Sequence, residues 1–364
     1  MAPKELLHTM KHLLKPTIMA LLLIEIFTAN AANTSIEFQH ILNCQVSDPA
    51  DPAYGAINDV WGEPTWVVPG EMAVAALVLK AGGYLTQAKA AADYLVKVQN
   101  TDGSWCNQYD HLTAVDKNKF TRHTAQVMML LGTIGGYSTA LSKANTWLAS
   151  MQDPKVKTGV DDGLVCGGKS STGGTYTDRW VSDNSFAVRA FKIAGNSVAA
   201  NKVVNGINTY LVNGDHWYQR ITSQGRKSDG DFGWINWAPA FMNLAGDGVT
   251  YPPGLADGIR SRLQVATGTH KGAVYENAKS TKLMPGIGFQ ASIAWNALGK
   301  SAYSAEHTAW AENVSGLWVT TVDANGDIGG WIDWRTTSGQ KAEWWQRFID
   351  TSAYYIMTVN GWQF

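Results

Sequence analysis

Three carboxylates occupy the same place in three similar segments of this chain: Glu71 after Pro69-Gly70, Asp183 in Trp180-Val181-Ser182-Asp183-Asn184-Ser185, and Asp350 in Phe348-Ile349-Asp350-Thr351-Ser352. Each opens an apolar, alanine-rich run and so reads as a first-turn helix residue, where unpaired amides and the positive end of the helix dipole favour negative charge. Asp is also a preferred N-cap, and capping alone would account for Asp183 and Asp350. Amide hydrogen bonds keep a carboxylate ionised, as a base or nucleophile must be, whereas a proton donor needs a less polar setting. Asp333, between Trp331 and Trp334, has that setting. Further acids, Asp102, Asp110, Asp229, Asp231 and Glu343, stand between the repeated segments. Two carboxyls of opposite protonation, about 5 to 9.5 Å apart, are what cleavage of a glycosidic bond requires.

Aromatic residues surround these acids. Of the sixteen tryptophans, eleven lie in loops or at the entry to an apolar segment: Trp61, Trp66, Trp105, Trp180, Trp217, Trp234, Trp237, Trp331, Trp334, Trp344 and Trp345. Any one of them can cap the end of a helical core. Gathered on one face, they suit a ligand with an apolar face and hydroxyl edges, such as a pyranose ring. Tyr109, Arg122, His123, Asn184 and Tyr218 stand beside them as polar or stacking partners.

The elements that must position these residues repeat. Apolar segments Glu71–Lys80, Arg122–Leu131, Asp183–Ala194, Trp237–Ala245, Phe289–Leu298 and Asp350–Val359 end at Gly82, Gly135, Gly195, Gly246, Gly299 and Gly361. These glycines recur every 51 to 62 residues, the length of a helical hairpin plus a long loop. Such segments, apolar all round, read as inner helices. Amphipathic segments Thr86–Val98, Ser138–Met151, Val198–Val212, Leu255–Val265 and Ser301–Thr320 alternate with them, and Ile36–Val46 makes a sixth. Twelve alternating helices predict an all-α (α/α)6 toroid of six hairpins, with an open helical solenoid as the alternative. Inner-to-outer turns are short and outer-to-inner loops run about 18 to 28 residues. The long, Trp-rich loops therefore share one face with the inner-helix N-termini.

The repeat runs without a linker, so residues 32–364 are expected to form one domain. Lys4, Lys11 and Lys15, the apolar run Ile18–Phe27 and Ala29-Asn30-Ala31 predict a signal peptide over residues 1–31 and export, an uncleaved anchor being the alternative. The run is shorter than the roughly 20 residues that span a bilayer. A formal net charge of −1 with interspersed signs suggests neither nucleic acid nor anionic membrane as a partner. Cys44, Cys106 and Cys166 match no zinc spacing, so no metal or cofactor is expected. Cys106 and Cys166, both in long loops, are the candidate disulfide; three unpaired thiols are the alternative. Asp323-Ala324-Asn325-Gly326-Asp327 has alternating oxygen ligands, but Ile328 and Trp334 break the calcium-loop pattern and an Asn-Gly turn explains it better.

The stretches Gly70-Glu71-Met72-Ala73-Val74-Ala75-Ala76-Leu77, Ala91-Ala92-Asp93-Tyr94-Leu95 and Gln99-Asn100-Thr101-Asp102-Gly103-Ser104-Trp105 resemble the repeat shared by many α/α toroids. Triterpene cyclases carry a similar Gln…Gly-x-Trp signature, but their Asp-x-Asp-Asp acid is absent; Gly159-Val160-Asp161-Asp162 lacks the first Asp. The organisation is more similar to six-hairpin glycosidases and toroidal polysaccharide lyases, over roughly residues 35 to 364 as architecture and over the first hairpin as motif. That resemblance implies an exported, monomeric glycoside hydrolase holding a poly- or oligosaccharide in a Trp-lined funnel. A polysaccharide lyase with a His or Tyr base is the alternative, for which Arg122, His123, His216, Tyr218 and Arg220 are candidates, and a glycan-binding toroid without catalysis is another. The resemblance assigns no catalytic residue by position.

Overall fold

The computed structural model describes residues 34–59, 65–153, 161–321, 329–342 and 348–363, without the side chains of Trp234 and Ile235. The predicted signal peptide, the acidic stretch 323–327 and residues Trp61, Glu343, Trp344 and Trp345 lie outside the described residues.

Twelve α-helices alternate between two layers among the described residues. The outer ones are α1 (34–43), α3 (Leu85–Lys97), α5 (Ser138–Ser150), α7 (Ser197–Gly206), α9 (Leu255–Leu263) and α11 (Ser301–Asn313). The inner ones are α2 (Pro69–Ala81), α4 (Thr121–Ile134), α6 (Val181–Ile193), α8 (Ala238–Phe241), α10 (Pro285–Ala297) and α12 (Ile349–Asn360). Each inner helix packs on the next, α2 through α4, α6, α8, α10 and α12, and α12 returns to α2. The ring is closed, so the chain is an (α/α)6 toroid and not an open solenoid.

The inner helices bury nearly their whole surface because Ala, Val, Leu and Met occur on all sides; in α2 only Glu71, Leu77, Lys80 and Ala81 escape full burial. Proline at the first turn of α2 and α10 presets the backbone for helix entry and extends α10 four residues ahead of the expected start at Phe289. Two elements depart further. The expected inner helix Trp237–Ala245 is one turn long, because Asn243 adopts a left-handed φ of 50° and the chain continues as a 3-10 turn, Leu244–Asp247. Helix α11 stops at Asn313 and not at Thr320, with Gly316 at φ 61° just beyond. Inner-to-outer turns are short, as at Gly82–Tyr84 and Gly135–Tyr137, while the long loops carry small antiparallel sheets.

A repeated clasp joins neighbouring hairpins. At the end of an outer helix a glutamine amide donates to a glycine carbonyl in the following loop and to a carbonyl in the first turn of the next outer helix. Gln99 Nε2 reaches Gly103 O at 3.0 Å and Ala140 O at 2.9 Å. Gln152 does the same with Gly163 and Ala199, Gln45 with Gly55 and Gln87, and Gln264 with Gly272 and Tyr303. The glycine is obligatory: at Gly103, φ is +94° and a Cβ would lie 2.3 Å from the Lys143 carbonyl oxygen. In the Gln99 copy Asp102 accepts from the Ser104 amide and hydroxyl, and the Trp105 indole donates to Leu95 O at 2.7 Å. The toroid-like stretch Gln99–Trp105 is thus a stitch between helices.

No disulfide forms among the three cysteines; all are buried, Cys106 against Asn100 and Cys166 against Met151. No described helix is long and apolar enough to cross a membrane.

Candidate active site

A funnel of about 980 Å³ opens where the inner helices begin. Residues at the N-terminal ends of five of them line it: Glu71 of α2, Arg122 and His123 of α4, Asp183 of α6, Gln290 of α10, and Asp350 of α12. Loop residues Asp59, Asp178, Arg220 and Asp333 complete its polar wall. All four acids singled out from the sequence, Glu71, Asp183, Asp333 and Asp350, therefore meet in one cavity.

None of the first-turn acids caps its helix. The cap positions belong to Val68, Trp180 and Phe348, and the acids stand inside the turn with their carboxyls directed to the funnel. Arg122 sits among them and pairs with Glu71 at 3.1 Å. A guanidinium at a helix N-terminus opposes the helix dipole, and the surrounding acids offset that penalty.

Burial dominates the electrostatics and reverses one expectation. Helix amides were expected to keep Asp183 and Asp350 ionised; instead burial pushes Asp183 up to about 7 despite Arg122. Asp350 is raised well above the carboxylate range by burial and by the charges of Glu71 and Asp59, against a weaker opposing bond from the Thr351 amide. Asp59, which no sequence feature marked, is pushed up to about 8 by burial and Glu71, with Arg122 acting against them. Its backbone is bolted in place, donating to Trp66 O at 2.8 Å and accepting from the Ile349 amide at 3.1 Å, while its buried Oδ1 has no hydrogen-bond partner among the described residues. That second bond fixes Asp59 beside the start of α12. Asp333 rises to about 6, from burial outweighing Lys282. His123 is held neutral, since burial and then Arg122 depress its proton affinity.

The aromatic residues distribute differently from the expected Trp-lined funnel. Among the described residues, Trp180 is the only one of these tryptophans that lines the cavity. Trp105, Trp217, Trp237 and Trp331 are fully buried under the loops; Trp331 stacks on Trp318 with ring centroids 5.3 Å apart and an interplanar angle of 5°. These large apolar surfaces seal the ends of the core. Trp66 is 45% exposed away from the funnel, and Trp334 lies outside the lining with the Lys282 ammonium 4.6 Å from its ring centre. The Trp234 side chain is outside the described residues. Tyr109 donates to Val98 O and accepts from the Cys106 amide, and Asn184 clamps Val165 N, Val165 O and Trp180 O, so both are structural. Tyr218 packs against Lys227 outside the cavity. Phe120 and Tyr176 line the funnel and carried no sequence signal beyond residue type.

Six hairpins closed into a ring, with a polar funnel at the inner-helix N-termini, define the six-hairpin glycosidase-like (α/α)6 toroid fold. No family model matches the sequence, and no curated protein matches it. Solved structures do match over nearly their whole length. A cellobiose 2-epimerase from Spirochaeta thermophila has a TM-score of 0.66 at 12% identity, covering 93% of this chain and 98% of its own. A D-mannose isomerase gives 0.64 at 14%, covering 92% and 97%, and a glycosidase variant in complex with glucose gives 0.65 at 11%, again covering 92% and 97%. At these identities the likeness is one of fold.

Proposed function

We propose that this protein is a carbohydrate-active enzyme, a glycoside hydrolase acting on neutral poly- or oligosaccharide in the funnel. One observation carries the reading: Glu71 is ion-paired to Arg122 at 3.1 Å, while Asp59 and Asp350 beside it are driven toward the protonated form. Interacting carboxyls titrate as a set. Arg122 pairs with Glu71, while burial makes Asp59 and Asp350 the carboxyls that hold a proton more readily. An Asp59–Asp350 proton donor can then protonate the glycosidic oxygen as the bond breaks. Glu71, oriented by Arg122, stabilises positive charge at the anomeric carbon and attacks it or activates water. This exchanges the expected roles: Asp350 moves from base to acid, and Asp333 is a peripheral acid. That the fold is shared with a glycosidase, a sugar epimerase and a sugar isomerase supports sugar chemistry in general.

The lyase alternative has less support. Uronate polymers are polyanions, and the two guanidiniums that line the funnel, Arg122 and Arg220, are each already paired with a carboxylate, Glu71 and Asp178. Of its candidate bases, His216 and Tyr218 lie off the funnel, His216 held between Asp215 at 2.7 Å and Asp229 at 3.1 Å. Export of the mature chain belongs to the same proposal, and intact-mass analysis of exported protein still carrying residues 1–31 would contradict it.

The deciding assay incubates purified protein with a panel of neutral and uronate polysaccharides, read for new reducing ends and for unsaturated-uronate absorbance. Reducing ends without absorbance, lost in Glu71→Gln and Asp350→Asn, are expected. Absorbance would select the lyase, and binding without turnover the glycan-binding toroid.

A further inference from the structure

The funnel has two unlike sectors. Acids from α2 and α12, with Asp59 and Asp333, fill one. The other, on two small sheets that lead into α4 and α6, sets aromatic rings beside Arg122, His123 and Asp183. Strand β1 (Lys119–Phe120) pairs with β2 (Gly168–Lys169), which pairs with β3 (Thr175–Tyr176). Facing them, β4 (Arg179–Trp180) pairs with β5 (Arg220–Ile221). Phe120, Tyr176, Trp180 and Arg220 all line the cavity from these strands.

Each exposed ring is braced from behind. Tyr176 stacks on Phe120 with centroids 5.6 Å apart and an interplanar angle of 22°, and its hydroxyl donates to Asn118 Oδ1 at 3.0 Å. It nevertheless stays 38% exposed. The Arg220 guanidinium lies 4.6 Å from the Trp180 ring centre and is itself fixed by Asp178 at 2.8 Å. Asp178 also accepts from the Ser223 amide at 3.0 Å, which ties the two strands' loops together. Tyr176, pinned against Phe120 and still exposed, needs no ordering when a flat ligand arrives, so little of the contact energy is lost to entropy. Buried tryptophans such as Trp105 and Trp331 offer no such open face. The cavity volume, at the upper end of the usual range for small-molecule sites, leaves room beyond the acid cluster.

We propose that Tyr176 on Phe120 and Trp180 on Arg220 form a stacking subsite for a further pyranose ring, which makes the substrate an oligosaccharide bridging the aromatic and acidic sectors. The proposal rests on the glycoside-hydrolase reading and names the substrate's extent. An apolar pyranose face lies on the aromatic rings, while Thr177 meets its hydroxyl edge. The neighbouring sugar then places its glycosidic bond among Glu71, Asp59 and Asp350.

The test compares Tyr176→Ala, Tyr176→Phe and wild type on the cello-, malto-, manno- and xylo-oligosaccharides and on the corresponding 4-nitrophenyl monoglycosides. Tyr176→Ala is expected to lower kcat/KM on oligosaccharides about two- to tenfold more than on the monoglycoside, mainly through KM, and Tyr176→Phe, which keeps the ring, to restore it. Equal losses on both substrate lengths would overturn the subsite while leaving the hydrolase reading standing. Where wild type turns over none of the panel, calorimetry with the trisaccharides and monosaccharides decides. Tighter trisaccharide binding that Tyr176→Ala abolishes supports the subsite, and equal affinity for both lengths in wild type overturns it. The hydrolase reading fails separately, if Glu71→Gln and Asp350→Asn keep full activity.

Discussion

Two guanidiniums, Arg179 in the core and the half-buried Arg122 at the funnel, do opposite jobs. Arg179 and Asp162, 1% and 4% exposed, form a closed pair: Nε to Oδ2 at 3.0 Å, Nη1 to Thr177 O, and Asp162 Oδ1 accepting the Leu164 amide. One charge meets one charge, and every polar atom of the pair that bonds does so within the core. Arg122 instead faces an excess of acid, with Glu71, Asp183 and Asp350 all contributing to its field. The surplus cannot be neutralised by pairing, so it is neutralised by protons. A balanced buried pair holds the fold; an unbalanced one stores reactive protons. Strand alternation separates the two: Asp178 and Trp180 turn to the funnel, and Arg179 between them turns to the core.

The largest break in this comparison is Arg179→Ala. It strands the Asp162 carboxylate in the core and is expected to reduce stability by about 3–5 kcal/mol, with the folded fraction's specific activity changed far less. Chemical denaturation alongside active-site titration checks it. Next, Glu71→Gln and Asp350→Asn should each lower turnover roughly 10²-fold or more. The melting temperature of Asp350→Asn should hold or rise, since a buried ionisable group is removed; a large fall with activity retained would make Asp350 structural.

The pH dependence sharpens the contrast. Asp59 near 8, Asp183 near 7 and Asp333 near 6 all lie above their ordinary 3.8. The folded state therefore binds more protons than the unfolded chain between about pH 4 and pH 8, and these groups' stabilisation, complete below that window, is lost as pH rises through it. Thermal melts across the window should show Asp59→Asn flattening the upper part of the fall. Smallest is Lys119→Ala. Its pair with Asp102 at 2.7 Å is open to solvent, and less than about 1 kcal/mol should be lost.

The ring was legible because the inner helices are largely apolar all round and all but α8 end at or beside a glycine. The acids were legible because first-turn positions repeat. Helix α8 was not, since the left-handed turn at Asn243 is a local backbone choice that its apolar neighbours do not reveal. Nor were most tryptophans: a loop tryptophan with its indole on a backbone carbonyl, as Trp105 on Leu95, reads the same in sequence as one facing a ligand. Proton affinities failed for a related reason. A first-turn carboxylate suggests ionisation, but depth in the funnel outweighs the dipole, and depth is set by ring closure. Asp59 reaches the site through backbone bonds to Trp66 and Ile349, far apart in sequence, and left no local trace.

The glutamine–glycine clasps have a consequence for how such a molecule can diversify. Each knots the chain at the root of a long loop, so the circumference of the ring is settled before the loop begins its excursion over the funnel. Residues beyond a knot, such as the hairpin 168–176 that carries Tyr176, are then interchangeable cargo on a standard mount. Grafting that hairpin from another toroid should alter which sugars are accepted while leaving ring geometry untouched, whereas replacing Gly163 at its root, where a Cβ would lie 2.4 Å from the Lys202 carbonyl oxygen, should loosen the ring and every loop mounted on it.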